Sequence, residues 1–404
     1  MARLVVTTAG TLGDFVPFFA LAKTLRSRGH DVVMAVNPAM IPRVESAGIE
    51  AIACGRPLGP EEVRQQADLF DRPEPATPEE FRARFRRLDL ARTTRDLLAA
   101  CRGADAVVSS SLQGVSSWVH ELTGIPWITA TIFAMEFPHD GIPLPDPPPY
   151  WPILIEARNA ARAELGLPAV PPDGWKDRYW SRRLVLVASS PHFSRPQLHD
   201  HPQAVMTGFW FDGEDAQSSL IDPALRGFLD AGPPPLVLTY SSQPLRDPAA
   251  VLGAHVEAAR RLGLRLVIQR GWAGFDPAML AGRWDHRSVH FADHVPHDLL
   301  FRRALAVIHH GGIGSTAQAL RQGRPALVEP HCNDQFFNAA RIHELGAGTM
   351  LLPDQLTADA VEEALATAVL TPAARGRAED LRHSIAAEDG LETAHGWIAS
   401  ILGA

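Results

Sequence analysis

The segment from Leu305 to Pro330 reads LAVIHHGGIGSTAQALRQGRPALVEP. An apolar strand ends in His309-His310. Gly311, Gly312 and Gly314 follow, and Ser315 and Thr316 open a helix. Glycines at such a turn let the backbone approach a ligand closely. Ser315 and Thr316 can cap the helix, whose free amides suit an anion, most often a phosphate. Gly312 to Ala317 also fits the dinucleotide fingerprint GxGxxG/A, with Glu329 where the ribose-binding acid would stand. That fingerprint normally follows the first strand of a domain, and here it follows several. A plain strand–turn–helix corner, with glycines for packing only, is the third reading.

Directly after the next strand comes Pro330-His331-Cys332-Asn333-Asp334-Gln335. Asp334 and Gln335 lie at a strand-to-helix turn on the carboxyl side of the sheet, where open parallel sheets bind ligands. A carboxylate beside an amide can receive sugar hydroxyls, since one accepts and the other both donates and accepts. The plainer role for Asp334 is a helix N-cap. Asp14, in Gly13-Asp14-Phe15-Val16-Pro17 just after the first strand, has the same plain reading, with Pro17 early in the helix. His199 and His201 flank Asp200 at a spacing a metal could use, but the proline-broken loop around them reads as solvent-exposed. There is no GxSxG elbow and no P-loop lysine.

These residues need a parallel sheet to hold them. In the first half Arg3–Thr8, Asp31–Ala35, Ala106–Ser110, Trp127–Thr131 and Leu184–Ser189 read as strands. Phe15–Ser27, Glu79–Cys101 and Gln113–Thr123 read as helices. In the second half the strands are Leu236–Ser241, Leu266–Gln269, Val289–Ala292, Leu305–His309, Ala326–Val328 and Thr349–Leu352. Helical stretches lie near 248–262, 315–322, 334–345 and 357–370. Alternation of this kind predicts an α/β fold with parallel sheets covered on both faces. Phe137 to Pro149 is too rich in proline for helix or inner strand and reads as a loop over a cleft. The acidic connection after Phe211 marks a boundary. It predicts domains at 1–212 and 233–386, a linker at 213–232, and a tail at 387–404.

Composition narrows the partners. The chain has 404 residues and a net charge of −8. Two sizeable cores fit in that length. The acidic balance argues against a nucleic acid or an anionic membrane as main partner. Cys54, Cys101 and Cys332 are far apart and form neither a disulfide framework nor a zinc site. The longest uncharged apolar stretch, Leu122 to Met135, spans 14 residues and holds a proline. A membrane span needs about 20. No signal peptide is evident, so the chain reads as cytoplasmic.

Four blocks then carry a resemblance: GTLGDFVPFFALAKTLRSRGHDV at 10–32, LVIQRGWAGF at 266–275, FADHVPHDLLFRRALAVIHHGGIGSTAQALRQGRPALVEP at 291–330, and HCNDQFFNAARIHELGAG at 331–348. The chain resembles the family 1 glycosyltransferases, in the bacterial branch that glycosylates sterols, polyketides and lipids. MTGFWFDG, FLDAGPPPLVLTYSS and NDQFFNAARI also look like the rhamnolipid rhamnosyltransferase. The resemblance implies the GT-B fold, two Rossmann-like domains facing a central cleft, with the final helix Gly390–Leu402 packing back on the first domain. It implies that His310 touches the donor diphosphate, that Gly312, Gly314, Ser315 and Thr316 form the phosphate loop, and that Gln318 meets the ribose. Asp334 and Gln335 match the sugar-binding pair. Val295 holds the nucleobase through its backbone, His294 stands where an aromatic stacks, and Ser242 faces the phosphates. The chain departs from the family pattern at Ser241 (usually glycine), Gln318 (usually glutamate), His294 (usually tryptophan) and His331-Cys332-Asn333.

The implied reaction is transfer with inversion. Asp14 takes the proton of the acceptor hydroxyl as that oxygen attacks the anomeric carbon, and the diphosphate leaves onto His310 and the helix amides without a metal or other cofactor. Its place at a helix N-terminus predicts a lowered pKa for Asp14. Trp118, Phe133, Met135, Phe137 and Trp151 suit an apolar acceptor and would serve equally as core. The implied partners are a UDP- or dTDP-sugar and a small apolar acceptor, with the chain a monomer or homodimer. The alternatives are an NAD(P)-dependent oxidoreductase, a silent nucleotide-sugar-binding protein, or an epimerase of the same fold.

Overall fold

The structure is a computed structural model. It describes residues 1–59, 61–62, 77–80, 82, 88–139, 150–172, 180–212, 221–282, 284–293 and 295–403. His294, the stretch 140–149 of the Pro-rich segment and residues 213–220 of the expected linker lie outside the described residues. The chain divides into two units. One holds Met1–Gly59, Glu74–Asp212 and Asp389–Ala404, the other Pro60–Pro73 and Gly213–Glu388.

In the first unit seven strands form one parallel sheet in the order β3-β2-β1-β4-β5-β6-β7. They are β1 (Arg3–Thr7), β2 (Asp31–Val36), β3 (Glu50–Ala53), β4 (Ala106–Ser110), β5 (Trp127–Thr131), β6 (Val185–Val187) and β7 (Ala204–Met206). The helices that matter here are α1 (Leu12–Ser27), α2 (Leu90–Ala100), α3 (Ser116–Thr123) and α4 (Trp151–Glu164). Leu4, Val5 and Val6 of β1 are fully buried, as a central strand covered on both faces requires. The sequence reading found neither β3 nor β7, which are short edge-side strands, and it missed α4.

The second unit has six parallel strands in the order β10-β9-β8-β11-β12-β13. They are β8 (Leu236–Thr239), β9 (Leu266–Gln269), β10 (Val289–Ala292), β11 (Ala306–His309), β12 (Ala326–Val328) and β13 (Gly348–Met350). Its helices include α5 (Pro248–Arg261), α6 (Ile313–Arg321), α7 (Asp334–Glu344) and α8 (Pro372–Ala386). The last helix, α9 (Gly390–Leu402), belongs to the first unit. There it packs against α1, and Arg28 pairs with Glu392 at 2.6 Å.

In each sheet the chain reverses its direction of growth beside a central strand. The switch falls between β1 and β4 in one unit and between β8 and β11 in the other. Ligands of open parallel sheets bind at the carboxyl ends of the strands flanking such a switch. The register brings those ends level, with Thr7 opposite Ser109 and His309 opposite Thr239. No helix among the described residues is long and apolar enough to cross a membrane.

Candidate functional site

At the carboxyl end of β1 the chain turns through Gly10 and enters α1. The helix begins at Leu12, three residues before its predicted start, so Asp14 is not the N-cap. Thr11 is. Asp14 stands in the first turn and folds back, and Thr11 donates to its Oδ2 through both the backbone N–H (2.7 Å) and the hydroxyl (3.1 Å). Pro17 falls in the second turn rather than the first. Asp14 is partly buried. Burial pushes its carboxyl up to about 6, against the downward pull of the Thr11 donors and its own amide. The helix terminus had predicted the opposite shift; desolvation outweighs it.

The five aromatic and methionine candidates separate. Trp118 is 1 % exposed in the core, under the guanidinium groups of Arg158 and Arg162. Phe137 is likewise 1 % exposed, stacked on Trp180 and packed on Val185 and Val187. Both are core side chains with no face left for an acceptor, because the apolar positions of the sheet claim them. Trp151 is partly buried against the same core as Trp118. Phe133 and Met135 remain partly exposed just beyond β5. Leu112, which the sequence reading passed over, is exposed beyond β4. Between them Ser111 donates to Thr131 Oγ1 at 3.3 Å, and Thr131 in turn donates to Glu136. His199 and Asp200 form an exposed pair at 3.1 Å.

At the carboxyl end of β11 the geometry is of another kind. Helix α6 starts at Ile313 with Gly312 as N-cap, and no side chain caps it. Ser315 and Thr316 lie inside the first turns. Ser315 Oγ meets Ser241 Oγ at 3.3 Å, and Thr316 Oγ1 donates back to the Gly312 carbonyl at 3.1 Å. Neither caps the helix as the sequence suggested, so its leading amides stay open. His310 stands beside them; a Cβ on Gly312 would lie 2.4 Å from His310 Nε2, so only glycine admits the ring. His309 Nδ1 accepts from the Gly311 N–H at 3.0 Å. Burial, with His297 beside it, pushes His309 down to about 3. Burial likewise holds His310 well below the usual imidazole range, helped by His309, His331 and His297. Both rings are neutral at pH 7.

Three buried atoms around this corner have no hydrogen-bond partner: His309 Nε2, His310 Nδ1 and Gln318 Oε1. Buried polar atoms are almost always paired, and leaving one unpaired costs about 1–3 kcal/mol. Three together, beside an uncapped helix N-terminus, leave this corner able to receive a polar ligand.

The turn after β8 completes the corner. Ser241 has φ +46°, the left-handed backbone that glycine adopts freely, at the position where the resemblance leads one to expect glycine. Ser242, beside it, is partly buried. Gln269 donates to the Val295 carbonyl at 2.8 Å and accepts from Thr239 at 2.8 Å. His297 Nε2 lies 3.2 Å from Gln269 Oε1 and 3.3 Å from Ser241 Oγ. Sequence reading missed Gln269 and His297, although both lie inside the quoted blocks. Only the strand order brings them to Ser241.

Asp334 opens α7, after Asn333 at φ +50°, and accepts from Asn338 Nδ2 at 2.8 Å. It is the first helical residue, not the N-cap. Gln335 departs from expectation. Its Oε1 accepts from the His331 and Cys332 N–H groups at 2.8 and 3.1 Å, and its Nε2 donates to Gln243 Oε1 at 2.9 Å. Its oxygen is spent on the backbone donors of its own turn and its nitrogen on Gln243, in the segment after β8. Glu329 is wholly buried. It accepts from the Tyr240 hydroxyl and pairs with His255 at 2.8 Å. A carboxylate so enclosed cannot reach a ribose, and this removes the acid that the dinucleotide fingerprint requires.

The chain is similar to known proteins. Residues 4–136 match the glycosyltransferase family 28 N-terminal domain. Residues 286–393 match the erythromycin biosynthesis protein CIII-like C-terminal domain. Glycosyltransferase GtfE of Amycolatopsis orientalis is 34 % identical over 93 % of this chain and 92 % of its own. Vancomycin aglycone glucosyltransferase of the same organism is 33 % identical, with the same coverage. Among solved structures, the glycotransferase of kitacinnamycin superposes with a TM-score of 0.77 over 99 % of both chains at 20 % identity. The Streptomyces sp. SF2575 glycosyltransferase SsfS6, complexed with thymidine diphosphate, gives 0.64 over 98 % of this chain and 99 % of its own at 21 % identity. The chain belongs to the family 1 glycosyltransferases of GT-B fold, in their bacterial natural-product branch.

Proposed function

We propose that this enzyme moves a hexose or deoxyhexose, with inversion, from a dTDP- or UDP-sugar to a hydroxyl of a small, largely apolar natural-product acceptor. The observation that carries the donor half is the corner at β11. An uncapped helix N-terminus and three unpartnered buried atoms, His309 Nε2, His310 Nδ1 and Gln318 Oε1, stand together there. A nucleoside diphosphate supplies what they lack: oxyanions for the amides and imidazoles, and a ribose hydroxyl for Gln318. Gly312, Gly314, Ser315 and Thr316 shape the phosphate loop, with Ser242 from the neighbouring turn. The Val295 backbone, fixed by Gln269, meets the base. Asp334 receives sugar hydroxyls while Gln335 holds the loop that presents it. The thymidine diphosphate in SsfS6 and the aglycone in the name of the vancomycin relative agree with this donor and this acceptor class.

In the reaction the acceptor oxygen forms a bond to the anomeric carbon as the bond to the diphosphate oxygen breaks. The leaving group carries off the electron pair, and the proton passes to Asp14. A carboxyl held near about 6 is ionised at neutral pH and still basic enough to serve. The developing diphosphate charge rests on amides and neutral imidazole N–H groups, so the scheme draws on no cofactor. The first unit binds the acceptor, with Leu112, Phe133 and Met135 as its apolar contacts, and the second binds the donor.

Calorimetric titration with dTDP, UDP and NAD in parallel tests the donor site. Binding of one pyrimidine diphosphate without NAD is expected. NAD binding alone would overturn the reading. Transfer of a labelled sugar to a hydroxylated aglycone then separates an enzyme from a silent binding protein.

A further inference from the structure

We infer that Gly10 and Thr11 are positioning residues for Asp14: they pin its Oδ2 against the turn and leave Oδ1 as the oxygen that takes the acceptor proton. The inference rests on Asp14 as the base proposed above.

Both Thr11 donors land on the same carboxylate oxygen, at 2.7 Å from the backbone N–H and 3.1 Å from the hydroxyl. An oxygen that already accepts two hydrogen bonds is the poorer base of the pair. Gly10 makes the fold-back possible. Its φ is +108°, and a Cβ there would lie 2.3 Å from Asp14 Oδ2 and 2.7 Å from Cγ. Any side chain at this position would therefore push the carboxylate out of the bracket. On the helix side, the Thr8 hydroxyl donates to the Asp14 carbonyl at 3.2 Å and fixes the residue's backbone. The carboxylate is thus held at its backbone, at one oxygen and by an absent side chain. No charged group enters its titration; burial raises it, and Thr11 with the Asp14 amide lowers it. The bracket thereby sets basicity as well as direction. Burial alone would lift the carboxyl further, and Thr11 keeps it ionised at neutral pH.

The test follows Asp14 by carbon-13 NMR of the aspartate carboxyl carbons in the full-length protein, its signal identified by its loss in Asp14→Asn. The wild-type midpoint is expected near about 6. Thr11→Val removes the hydroxyl donor and should raise the midpoint by about one pH unit, from the worth of a hydrogen bond to a charged group. Thr11→Ser should return it to the wild-type value, which a purely structural role for the hydroxyl would not require. If Thr11→Val fails to fold, Thr11→Ala carries the same expectation, and Gly10→Ala should move the midpoint and lower kcat at least tenfold. A Thr11→Val or Thr11→Ala midpoint equal to wild type overturns the bracket. So does a Gly10→Ala enzyme with wild-type kcat. The base reading fails separately, when Asp14→Asn transfers sugar at the wild-type rate.

Discussion

The turn from β1 into α1 and the turn from β11 into α6 both flank the switch point of their sheet, one on the strand that opens its unit and the other on the strand that follows the switch. Each leaves a strand at the switch point and enters a helix through glycine. At the first, the chain answers its own helix end: Thr11 is the N-cap residue, and the Asp14 carboxylate bends back to accept from its N–H and hydroxyl. At the second, the cap is glycine, no side chain closes the amides, and two buried imidazoles and an amide oxygen point to no partner. The one corner carries a carboxylate that would repel a phosphate. At the other, no side-chain cap competes with one. On the proposed reading, a strand–turn–helix unit serves a base in one unit and an anion in the other, and the choice lies in who satisfies the helix N-terminus.

The largest effect is expected at the first corner. Asp14→Asn keeps an oxygen for the Thr11 donors and removes the base, so kcat should fall about 100-fold or more while dTDP affinity holds. In the wild type the base must be ionised, so kcat/KM should fall as pH drops below about 6. The carboxyl is raised above its unfolded value, so its contribution to stability is present at low pH and lost as pH rises through about 6. Asp14→Asn should then be more stable than wild type at pH 7, by about 1 kcal/mol once solvent screening of a partly exposed group is allowed for. Loss of turnover with a gain in melting temperature marks a functional carboxylate; loss of both would return Asp14 to a merely structural role. At the second corner His310→Ala should weaken dTDP binding by about 10–100-fold, the worth of one hydrogen bond to a charged group. Unchanged affinity in calorimetry would take His310 out of the site.

How much of this the sequence disclosed follows the same divide. Central strands were legible because they are continuous apolar runs bounded by turn residues, whereas β3 and β7 lie at the sheet edges and are only partly buried. The glycines and histidines of 309–316 suggested locally the anion site proposed above. The cap at Thr11 was missed because Asp14 is itself a good N-cap type, and only coordinates show which residue holds the extended backbone. Trp118 and Phe137 were ambiguous by nature, since an acceptor pocket and a core ask for the same side chains. The Gln269–His297–Ser241 cluster, and the Tyr240–Glu329–His255 chain that enclosed the supposed ribose acid, join residues far apart in sequence. Strand order makes them, and periodicity does not report it.

Acid should pull the two corners apart. His309 is pushed down to about 3, so the stability it contributes is complete above its unfolded pKa of 6.5 and drains as pH falls. The slope is about 1.4 kcal/mol per pH unit below 6.5 for one such histidine. Asp14 changes in the opposite sense between about 6 and 3.8. Amide exchange at pH 5 should therefore open the second unit before the first, and His309→Asn should narrow the gap. Equal protection in both units at pH 5 would mean the buried imidazoles are not the neutral groups described.

The smallest effect concerns Gln318. Its Oε1 is buried without a partner, and a ribose hydroxyl would supply the missing proton. Gln318→Ala should weaken dTDP binding only about fivefold, since one neutral hydrogen bond is worth about 1 kcal/mol net. So modest a change has a trivial explanation in local repacking, and the way to separate the two is a cycle with 3′-deoxythymidine diphosphate, which lacks the only hydroxyl this ribose could offer. If Gln318 reads that hydroxyl, removing it from the ligand should cost the wild type about as much as the mutation does and cost Gln318→Ala almost nothing. Additive losses would leave the orphaned oxygen to some other group of the donor, and the correspondence between unpartnered atoms and ligand atoms at the second corner would then hold for the histidines alone.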